Sequence, residues 1–332
     1  MLFSDLPYVK LADWTTPLQR LERFGALVGH GQLYIKRDDL TGIGMGGNKV
    51  RNLEFLLGEA MQQNADVILV AGGLQSNLCR LTAAACVRVG LECIIVHNAD
   101  RPAVPEGNQL LNHLMGTKAL YLGPMDEVAR GQKVREIAEQ LHQQGRRPYI
   151  IDSNTPVATL GYTKAALELH EQAVQTGVDL KHIALVGAMA GTATGFLYGT
   201  ALLGHPFHVH LISVEYPRDQ LRQIITDIWD GVVKLTGVRP PTDLDQVVTI
   251  YYTYLGQGYG IPTPEAVQSI YDLARTEAIF IENVYTSKTL YGMVDLIRKG
   301  IIPRDEAACF IHTGGLPALF TQSDLFRSGA RH

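Results

Sequence analysis

A lysine that directly follows a glycine-rich loop is the first feature of this sequence that could do chemistry. Four glycines lie between residues 42 and 47, and Asn48 and Lys49 come next, where a helical pattern begins. A lysine that is shielded from water near a helix N-terminus has a lowered pKa, and its amine can then act as a nucleophile or a base. A solvated surface charge is the alternative, and periodicity leaves both interpretations open.

A turn of small residues from Gly187 to Gly195 (GAMAGTATG) follows an apolar run and precedes a helical pattern. Backbone N–H groups can converge on an anion in such a turn, and the helix N-terminus adds partial positive charge, so a phosphate could bind there. The turn matches neither the G-x-x-x-x-G-K-[ST] nor the G-x-G-x-x-G nucleotide loop. The alternative is a tight turn that serves only helix packing.

Two further turns follow predicted strands, where parallel α/β sheets bind ligands. In AGGLQSN (71–77), Ser76 is well placed as a helix N-cap, while Ser76, Asn77 and free N–H groups could also bind a carboxylate. In HTGGLP (312–317), Thr313 would project from a strand end towards the same ligand, although a plain turn is equally consistent.

Other polar groups predict structural roles. His205, His208 and His210 lie near a strand start without acidic partners, so we expect no metal site. Asp38 and Asp39 are adjacent, so in an extended segment they would point in opposite directions, and we expect structural salt bridges there.

The segment 183–204 carries no charge, and its glycines recur at the G-x-x-x-G spacing of membrane helix dimers. Its glycines and threonines make it only weakly hydrophobic. A strand, a glycine turn and a tightly packed helix therefore explain the segment better than a membrane helix.

The elements that must position these residues alternate along the chain between short apolar runs and helical patterns. Such alternation is typical of a parallel sheet with helices on both faces, so we predict an α/β protein. The predicted strands are residues 67–71, 92–97, 119–122, 149–152, 183–186, 209–214, 247–254 and 309–312. The predicted helices are residues 52–63, 77–89, 126–144, 160–175, 220–235, 264–276 and 288–299.

No repeat or long linker divides the chain, so a second domain is expected to be inserted into the first. The glycine loop at 42–47 and the Pro/Asn/Ser-rich stretch at 152–156 are plausible crossing points. We therefore predict a small inserted α/β domain at 51–155 and a large domain formed by 1–50 and 156–332.

Composition excludes several classes of protein. Charged residues are 19% of the chain and the net charge is −4, so there is no basic excess that would hold nucleic acid. The N-terminus lacks the basic region and apolar core of a signal peptide, and the four cysteines fit neither a disulfide framework nor a zinc pattern. We expect a cytoplasmic protein with reduced cysteines, no membrane association and a small-molecule ligand.

Six motifs, in order along nearly the whole chain, together resemble the D-cysteine desulfhydrase and 1-aminocyclopropane-1-carboxylate (ACC) deaminase family of fold-type II pyridoxal-phosphate (PLP) enzymes. The resemblance implies a tryptophan synthase β-like fold with two open, mostly parallel twisted sheets, a PLP-binding large domain and a homodimer. The motifs are KRDDLTGIGMGGNKVR (36–51), AGGLQSNLCRLTAA (71–84), GAMAGTATGF (187–196), GQGYGIPTPE (256–265), VYTSKTLYG (284–292) and HTGGLPALF (312–320).

The resemblance also implies a role for each matching residue. Lys49 would form the Schiff base with the cofactor, Thr313 would face the pyridine nitrogen, and Asn77 would contact the ring hydroxyl. Ser76, Asn77 and the Leu78 N–H would hold the substrate carboxylate. The residues that would cradle the cofactor phosphate are Ala188, Met189, Ala190, Gly191 and Thr192, with help from Asn48. Tyr259 and Tyr285 would be catalytic residues that line the reacting face, and Thr286 would contact the substrate.

A neutral hydroxyl at Thr313 implies an unprotonated ring and a weaker electron sink, which suits elimination over racemisation or transamination. The substrate amine would displace Lys49, Lys49 or Ser76 would take the Cα proton, and loss of the β-substituent and hydrolysis would give a keto acid and ammonia.

Two positions indicate the branch of the family. ACC deaminases carry Glu and Leu where this chain has Thr286 and Thr313, which favours a desulfhydrase-like enzyme; L-cysteate sulfo-lyase, ACC deaminase and a non-catalytic ligand-binding relative remain alternatives. Leu78 replaces the His or Gln usual in the family, and Asn52 stands where relatives often carry a phosphate-facing Lys. These departures suggest an altered substrate preference.

Overall fold

The computed structural model describes residues 3, 5–12 and 15–327. Within these residues the strands are β1 (Leu18–Arg20), β2 (Leu33–Arg37), β3 (Val67–Ala71), β4 (Glu92–His97), β5 (Lys118–Tyr121), β6 (Pro148–Ile150), β7 (Leu180–Gly187), β8 (His208–Ser213), β9 (Val248–Tyr251) and β10 (Ala307–His312). The α-helices are α1 (Glu22–Val28), α2 (Lys49–Gln62), α3 (Asn77–Val89), α4 (Asn108–Leu114), α5 (Glu127–Gln143), α6 (Pro156–Thr176), α7 (Ala190–Leu202), α8 (Arg218–Thr236), α9 (Leu244–Val247), α10 (Pro264–Glu277), α11 (Thr286–Arg298), α12 (Leu316–Leu319) and α13 (Asp324–Arg327).

The chain divides into two compact units. The first unit comprises the described parts of Met1–Asp13, Thr41–Asp152 and Pro317–His332. The second comprises those of Trp14–Leu40 and Ser153–Leu316. The internal segment of the first unit therefore begins near the predicted crossing point at 42–47 and ends near the one at 152–156. The assignment of 51–155 to a small domain, and of the rest to a large one, stays a prediction.

The first unit contains a parallel sheet with strand order β5-β4-β3-β6 among its described residues. Strands β3 and β4 are runs of aliphatic residues because helices cover both faces of a parallel sheet. On one face, Val67, Leu69, Ile94 and Val96 pack against Val134 of α5. This core holds the carboxyl ends of β3 and β4, from which the loop at 72–77 departs.

The second unit contains a sheet with strand order β1-β2-β10-β7-β8-β9, in which only β1 runs antiparallel to its neighbour among the described strands. Helices α6 and α7 pack very closely on it. A Cβ added to Gly191, Gly195 or Gly199 of α7 would lie under 3.0 Å from a carbonyl oxygen in or just before α6. The small residues at this spacing therefore let two helix backbones approach each other.

The predicted α/β class is confirmed, and several elements have the predicted limits. Strands at 67–71 and 92–97 and the helix at 77–89 agree at both ends. The strand, turn and packed helix predicted over 183–204 correspond to β7 and α7. Among the described residues, no helix is long and apolar enough to span a bilayer.

The sequence patterns missed β1, β2, α1, α4, α9, α12 and α13, which are three to seven residues long. The extended segment expected at Asp38 and Asp39 is instead part of a 3-10 helix, Asp38–Leu40. Asp39 forms the expected salt bridge, with Arg37 at 2.7 Å. The strand predicted over 247–254 covers only Val248–Tyr251, because α9 ends at Val247 and a second 3-10 helix follows.

Candidate active site

Lys49 is the first residue of α2, directly after the glycine loop. The loop is closed by Thr41, whose hydroxyl accepts a hydrogen bond from the Gly47 N–H at 2.8 Å and donates one to the Gly47 carbonyl at 3.0 Å. Gly46 and Gly47 have φ values of 69° and 134°, which residues with a Cβ rarely adopt. Helix α2 begins at Lys49, as the pattern after the glycine loop indicates and three residues before the predicted range of 52–63, and the glycines place the half-buried Lys49 side chain at a defined backbone position.

Ser76 is the N-cap of α3, as one of its two interpretations predicts. Its Oγ accepts a hydrogen bond from the Cys79 N–H at 3.2 Å. The N–H groups of Asn77 and Leu78 make no hydrogen bond with the described residues, so they remain available to an anion at this helix end. The Leu78 side chain is 5% exposed and belongs to the core, so only its backbone can serve a ligand.

Side-chain amides and a guanidinium group hold Asn77 in place. Arg80, which is fully buried, donates from Nη1 to Asn108 Oδ1 at 2.9 Å and to Asn77 Oδ1 at 3.4 Å. Asn108 Nδ2 donates to Asn77 Oδ1 at 3.1 Å and to the Gln75 carbonyl at 2.7 Å. Arg80 Nη2 also donates to the Gly46 carbonyl at 2.7 Å. One arginine therefore connects the loop before Lys49 to the start of α3.

A second set of hydrogen bonds holds the 72–77 loop. Gln109 Nε2 donates to the Leu74 carbonyl at 3.0 Å and lies 2.8 Å from His97 Nε2, while Gln109 Oε1 accepts from the Tyr121 hydroxyl at 2.9 Å. His97 Nδ1 lies 2.7 Å from the Gly72 carbonyl, which can only accept, so Nδ1 carries the proton and Nε2 accepts from Gln109. Burial lowers the pKa of His97, which keeps the ring neutral.

The turn between β7 and α7 requires glycine at two positions, where an added side chain would collide with neighbouring atoms. A Cβ on Gly191 would collide with the Ser153 carbonyl, and one on Gly187 would lie 2.8 Å from the Leu221 side chain. The N-cap of α7, Met189, makes no capping hydrogen bond within the described residues. This helix therefore begins without the acceptor that a Ser or Asp cap would supply, which leaves its N-terminus suited to a phosphate.

Thr313 directly follows β10 and is 7% exposed. The preceding His312 donates from Nε2 to the Phe280 carbonyl at 2.9 Å and accepts from the Gly314 N–H at 3.2 Å, which fixes the turn. The Thr313 hydroxyl makes no hydrogen bond with the described residues, so a nearly buried polar group at a strand end is left for a ligand.

Tyr259 and Tyr285 lie together in the second unit. Their hydroxyls are hydrogen-bonded to each other and their rings meet edge to face, 5.8 Å apart. Burial and the neighbouring Tyr259 hydroxyl raise the pKa of Tyr285 well above its usual value. Tyr259 is 49% exposed and Tyr285 is half-buried, so the Tyr259 phenol is the more accessible of the two.

Two buried charged residues of the second unit position the tyrosines, and sequence reasoning missed both. Glu282 accepts hydrogen bonds from the N–H groups of Val284, Tyr285 and Thr286, at 2.7 to 2.9 Å, so its carboxylate caps α11. Burial raises the pKa of Glu282, while these donors oppose the shift. Lys288 donates to the Gly258 carbonyl at 3.0 Å and thereby holds the loop that carries Tyr259.

Thr286, predicted to contact the substrate, has its hydroxyl engaged within the protein. It accepts from the Glu282 N–H at 2.9 Å and lies 3.0 Å from Glu282 Oε1, to which it donates. The side chain is 1% exposed. The position carries a neutral, internally bonded group next to Tyr285.

Arg80, Asn108, Gln109 and His97 were also missed; Asn108 and Gln109 lie in α4, a seven-residue helix that the sequence patterns did not predict. One signal was present for Arg80: it lies among Leu78, Cys79 and Leu81, and a charge with apolar neighbours on every side of a helix is a candidate for burial. No comparable pattern marks Asn108.

Clusters of histidine and cysteine side chains also lie outside the candidate site residues described above. His210 is buried, and its Nε2 lies 3.0 Å from His182 Nδ1. Among the described residues, no group of three or more His, Cys, Asp or Glu side chains could hold a metal ion. All four cysteines are buried and unpaired, and burial raises the pKa of Cys79 and of Cys309 to about 12.

Comparison with known proteins agrees with this geometry. The family described as pyridoxal-phosphate dependent enzyme matches residues 9–314. A putative ACC deaminase of Pyrococcus horikoshii is 35% identical over 97% of this chain and 96% of its own length, and a D-cysteine desulfhydrase of Yersinia pestis is 32% identical over 96% of each.

Solved structures show the same fold. The crystal structure of an ACC deaminase homologue, 34% identical, superposes with a TM-score of 0.90 over 98% of this chain and 97% of that one. O-ureido-L-serine synthase shares the fold alone, with a TM-score of 0.69 at 16% identity over 96% and 94%. The chain therefore belongs to the pyridoxal-phosphate-dependent enzyme family, in the branch of the ACC deaminases and D-cysteine desulfhydrases.

Proposed function

We propose that this enzyme eliminates the β-substituent and the amino group of a small amino acid, as a D-cysteine desulfhydrase does, and releases a keto acid and ammonia. The observation that carries the proposal is Thr313, a neutral hydroxyl at the end of β10, nearly buried and without a hydrogen bond to the described residues. A neutral partner leaves the pyridine nitrogen unprotonated, which favours elimination over transamination.

The residues of each unit fit the cofactor. In the first unit, Lys49 follows a glycine loop with a fixed backbone, and its amine is the group that would form the Schiff base. In the second unit, the uncapped start of α7 at Ala188 to Thr192 would hold the phosphate, as the resemblance predicts. Pyridoxal phosphate, when bound, withdraws electrons from the substrate Cα and so makes its proton acidic.

The start of α3 would bind the substrate. The Asn77 and Leu78 N–H groups, which make no hydrogen bond with the described residues, would hold the substrate carboxylate. Ser76 Oγ accepts from Cys79, so it keeps a proton to donate and a second lone pair. Lys49 or Ser76 would then act as the base that removes the Cα proton.

The tyrosine pair would complete the reacting face. Because the pKa of Tyr285 is raised, its phenol stays protonated and can donate to a leaving group or to a carboxylate. Thr286 places no charge beside it, whereas ACC deaminases carry a Glu there. This difference supports elimination from an open-chain amino acid over ring opening.

The identities to known relatives do not distinguish between the substrates, because relatives named ACC deaminase and D-cysteine desulfhydrase are both 32% to 35% identical to the chain.

A β-elimination assay on D- and L-cysteine, D- and L-serine, β-chloroalanine, L-cysteate and ACC tests the proposal. We expect ammonia and keto acid from D-cysteine or β-chloroalanine, and no turnover of ACC. Turnover of ACC alone would assign the enzyme to the alternative branch, L-cysteate alone would indicate the sulfo-lyase, and no turnover would favour a non-catalytic ligand-binding relative.

Replacement of the proposed Schiff-base residue gives the matched test. Lys49→Ala should lose essentially all turnover, while Lys234→Ala, at an exposed position of α8, should keep it. Full turnover by Lys49→Ala would overturn the assignment. A homodimer and a cytoplasmic location, which the resemblance and the sequence predict, stay predictions.

A further inference from the structure

We infer that Arg80 and Asn108 are positioning residues that fix the orientation of the Asn77 amide, so that Asn77 presents its NH2 group, and not its oxygen, to the bound cofactor. This inference rests on the proposed function, in which Asn77 contacts the ring oxygen. It assigns the hydrogen-bond polarity of that contact to residues that the sequence motifs did not identify.

Arg80 fixes the polarity of this network, because a guanidinium group has only donors. The Asn108 atom that lies 2.9 Å from Arg80 Nη1 must therefore be the oxygen. The other amide atom of Asn108 must then be nitrogen, and its position confirms this independently, since it lies 2.7 Å from the Gln75 carbonyl, which can only accept.

The orientation of Asn108 sets that of Asn77. Asn108 Nδ2 lies 3.1 Å from the nearer amide atom of Asn77, which must be an acceptor, and the same atom lies 3.4 Å from Arg80 Nη1. Both neighbours are donors, so this atom is Oδ1. Asn77 Nδ2 makes no hydrogen bond with the described residues, and it is the only polar atom of the side chain left for a ligand.

The Asn77 Nδ2 donor favours a ligand group that can accept a hydrogen bond. An N–H donor stabilises an ionised oxygen, and a hydrogen bond to a charged group is stronger than one to a neutral group. The buried charge of Arg80 adds to this preference, because its Nη atoms contact only amide and carbonyl oxygens among the described residues. The site is therefore built to hold the ring oxygen of the cofactor in its deprotonated form.

The test replaces one donor atom of the network with an acceptor. Asn108→Asp keeps the acceptor for Arg80 but replaces the Nδ2 donor with an oxygen, so the Asn77 amide should turn its own NH2 group towards the new carboxylate and present its oxygen outwards. Asn112→Asp is the matched control, because Asn112 is buried in the same helix and its side-chain nitrogen and oxygen have no hydrogen-bond partner among the described residues. Thermal unfolding identifies variants that fail to fold.

The measurement is equilibrium binding to the cofactor-free protein of 4-deoxypyridoxine 5′-phosphate, which cannot form a Schiff base, and of its analogue that also lacks the 3-oxygen. The parent protein should prefer the oxygen-bearing compound by about tenfold, the value of one hydrogen bond to a charged group. Asn108→Asp should lose most of this preference, and Asn112→Asp should keep it.

Two results would overturn the inference. If folded Asn108→Asp kept the parent's preference, Asn108 would not set the orientation of Asn77. If the parent showed no preference, Asn77 would not donate to the ring oxygen. Neither result bears on turnover of D-cysteine, which tests the proposed function separately. If Asn108→Asp failed to fold, the same comparison with Arg80→Lys would decide. This variant keeps a donor but not all three contacts of Arg80, so only a partial loss of the preference is compatible with the inference.

Discussion

The loop at 72–77 and the turn at 187–192 are held in place by opposite means. In the first unit, side-chain hydrogen bonds from Arg80, Asn108 and Gln109 hold the 72–77 loop. In the second unit, α7 behind the turn is held by backbone packing against α6, which only glycine permits. Close packing should be insensitive to pH but intolerant of one added atom, whereas a polar network should tolerate an added methyl group and depend on protonation.

The largest effect should come from adding one methyl group to the packed helix. In Gly195→Ala, the new Cβ would lie under 3.0 Å from the Thr159 carbonyl, and we expect a loss of about 3 kcal/mol in the free energy of unfolding. Gly73→Ala in the other loop meets nothing within 4 Å and should change stability by less than about 0.5 kcal/mol. Urea unfolding of both variants measures the difference, and equal stabilities would contradict the comparison.

An intermediate effect should follow from removing one member of the polar network. Gln109→Leu leaves the Leu74 carbonyl, His97 Nε2 and the Tyr121 hydroxyl without their partner, which should cost about 2 kcal/mol. Gln143→Leu, at an exposed position of α5, is the control and should cost less than about 0.5 kcal/mol. If the two variants unfolded at the same urea concentration, the network would not stabilise the loop.

The smallest effect should be a dependence on pH that the 72–77 loop shows and the turn at 187–192 does not. Burial lowers the pKa of His97 below its usual 6.5, so below that pH the unfolded chain binds a proton that the folded chain does not. Stability should therefore fall as the pH falls below 6.5 towards the folded pKa, by at most about 1.4 kcal/mol per pH unit.

Amide exchange from pH 7.5 to 5.5, corrected for the intrinsic rates, measures this effect residue by residue. Exchange at Gly72 to Gln75 should rise on acidification, and exchange at Ala190 to Thr192 should not. His97→Gln should abolish the rise. A parallel rise at both places would mean that the acid acts on the whole molecule and not on the network.

Much of the fold could be predicted because hydrophobic period and turn residues act locally. Strands β3 and β4 are largely uninterrupted aliphatic runs, and α3 has an N-cap serine and a terminal glycine, so their limits follow from the sequence. Helix α4 and strand β2 are only seven and five residues long, too short for a hydrophobic period to be recognised, and their positions depend on tertiary contacts.

The candidate site divides in the same way. The turns around Lys49, Ser76, Gly191 and Thr313 could be located because glycine and small residues mark strand-to-helix turns. The residues that orient these groups, such as Asn108, are ordinary polar residues in sequence, since partners far apart in the chain determine their role. Sequence alone therefore located the turns better than the contacts that fix them.

Lys49 is the proposed cofactor lysine, although the described part of the chain also has two buried lysines. Lys36 is held by Glu168 and by the Gln172 side chain at 2.6 Å, and Lys288 donates to the Leu255 and Gly258 carbonyls. Both have structural partners and should not react.

The most direct measurement is borohydride reduction of the cofactor-loaded enzyme, followed by peptide mapping. Reduction converts a Schiff base into a stable secondary amine, so the modified lysine can be read from the peptide masses. We predict a single pyridoxyl group, on the peptide that contains Lys49. A label on Lys36 or Lys288, or no label on any peptide, would contradict the account.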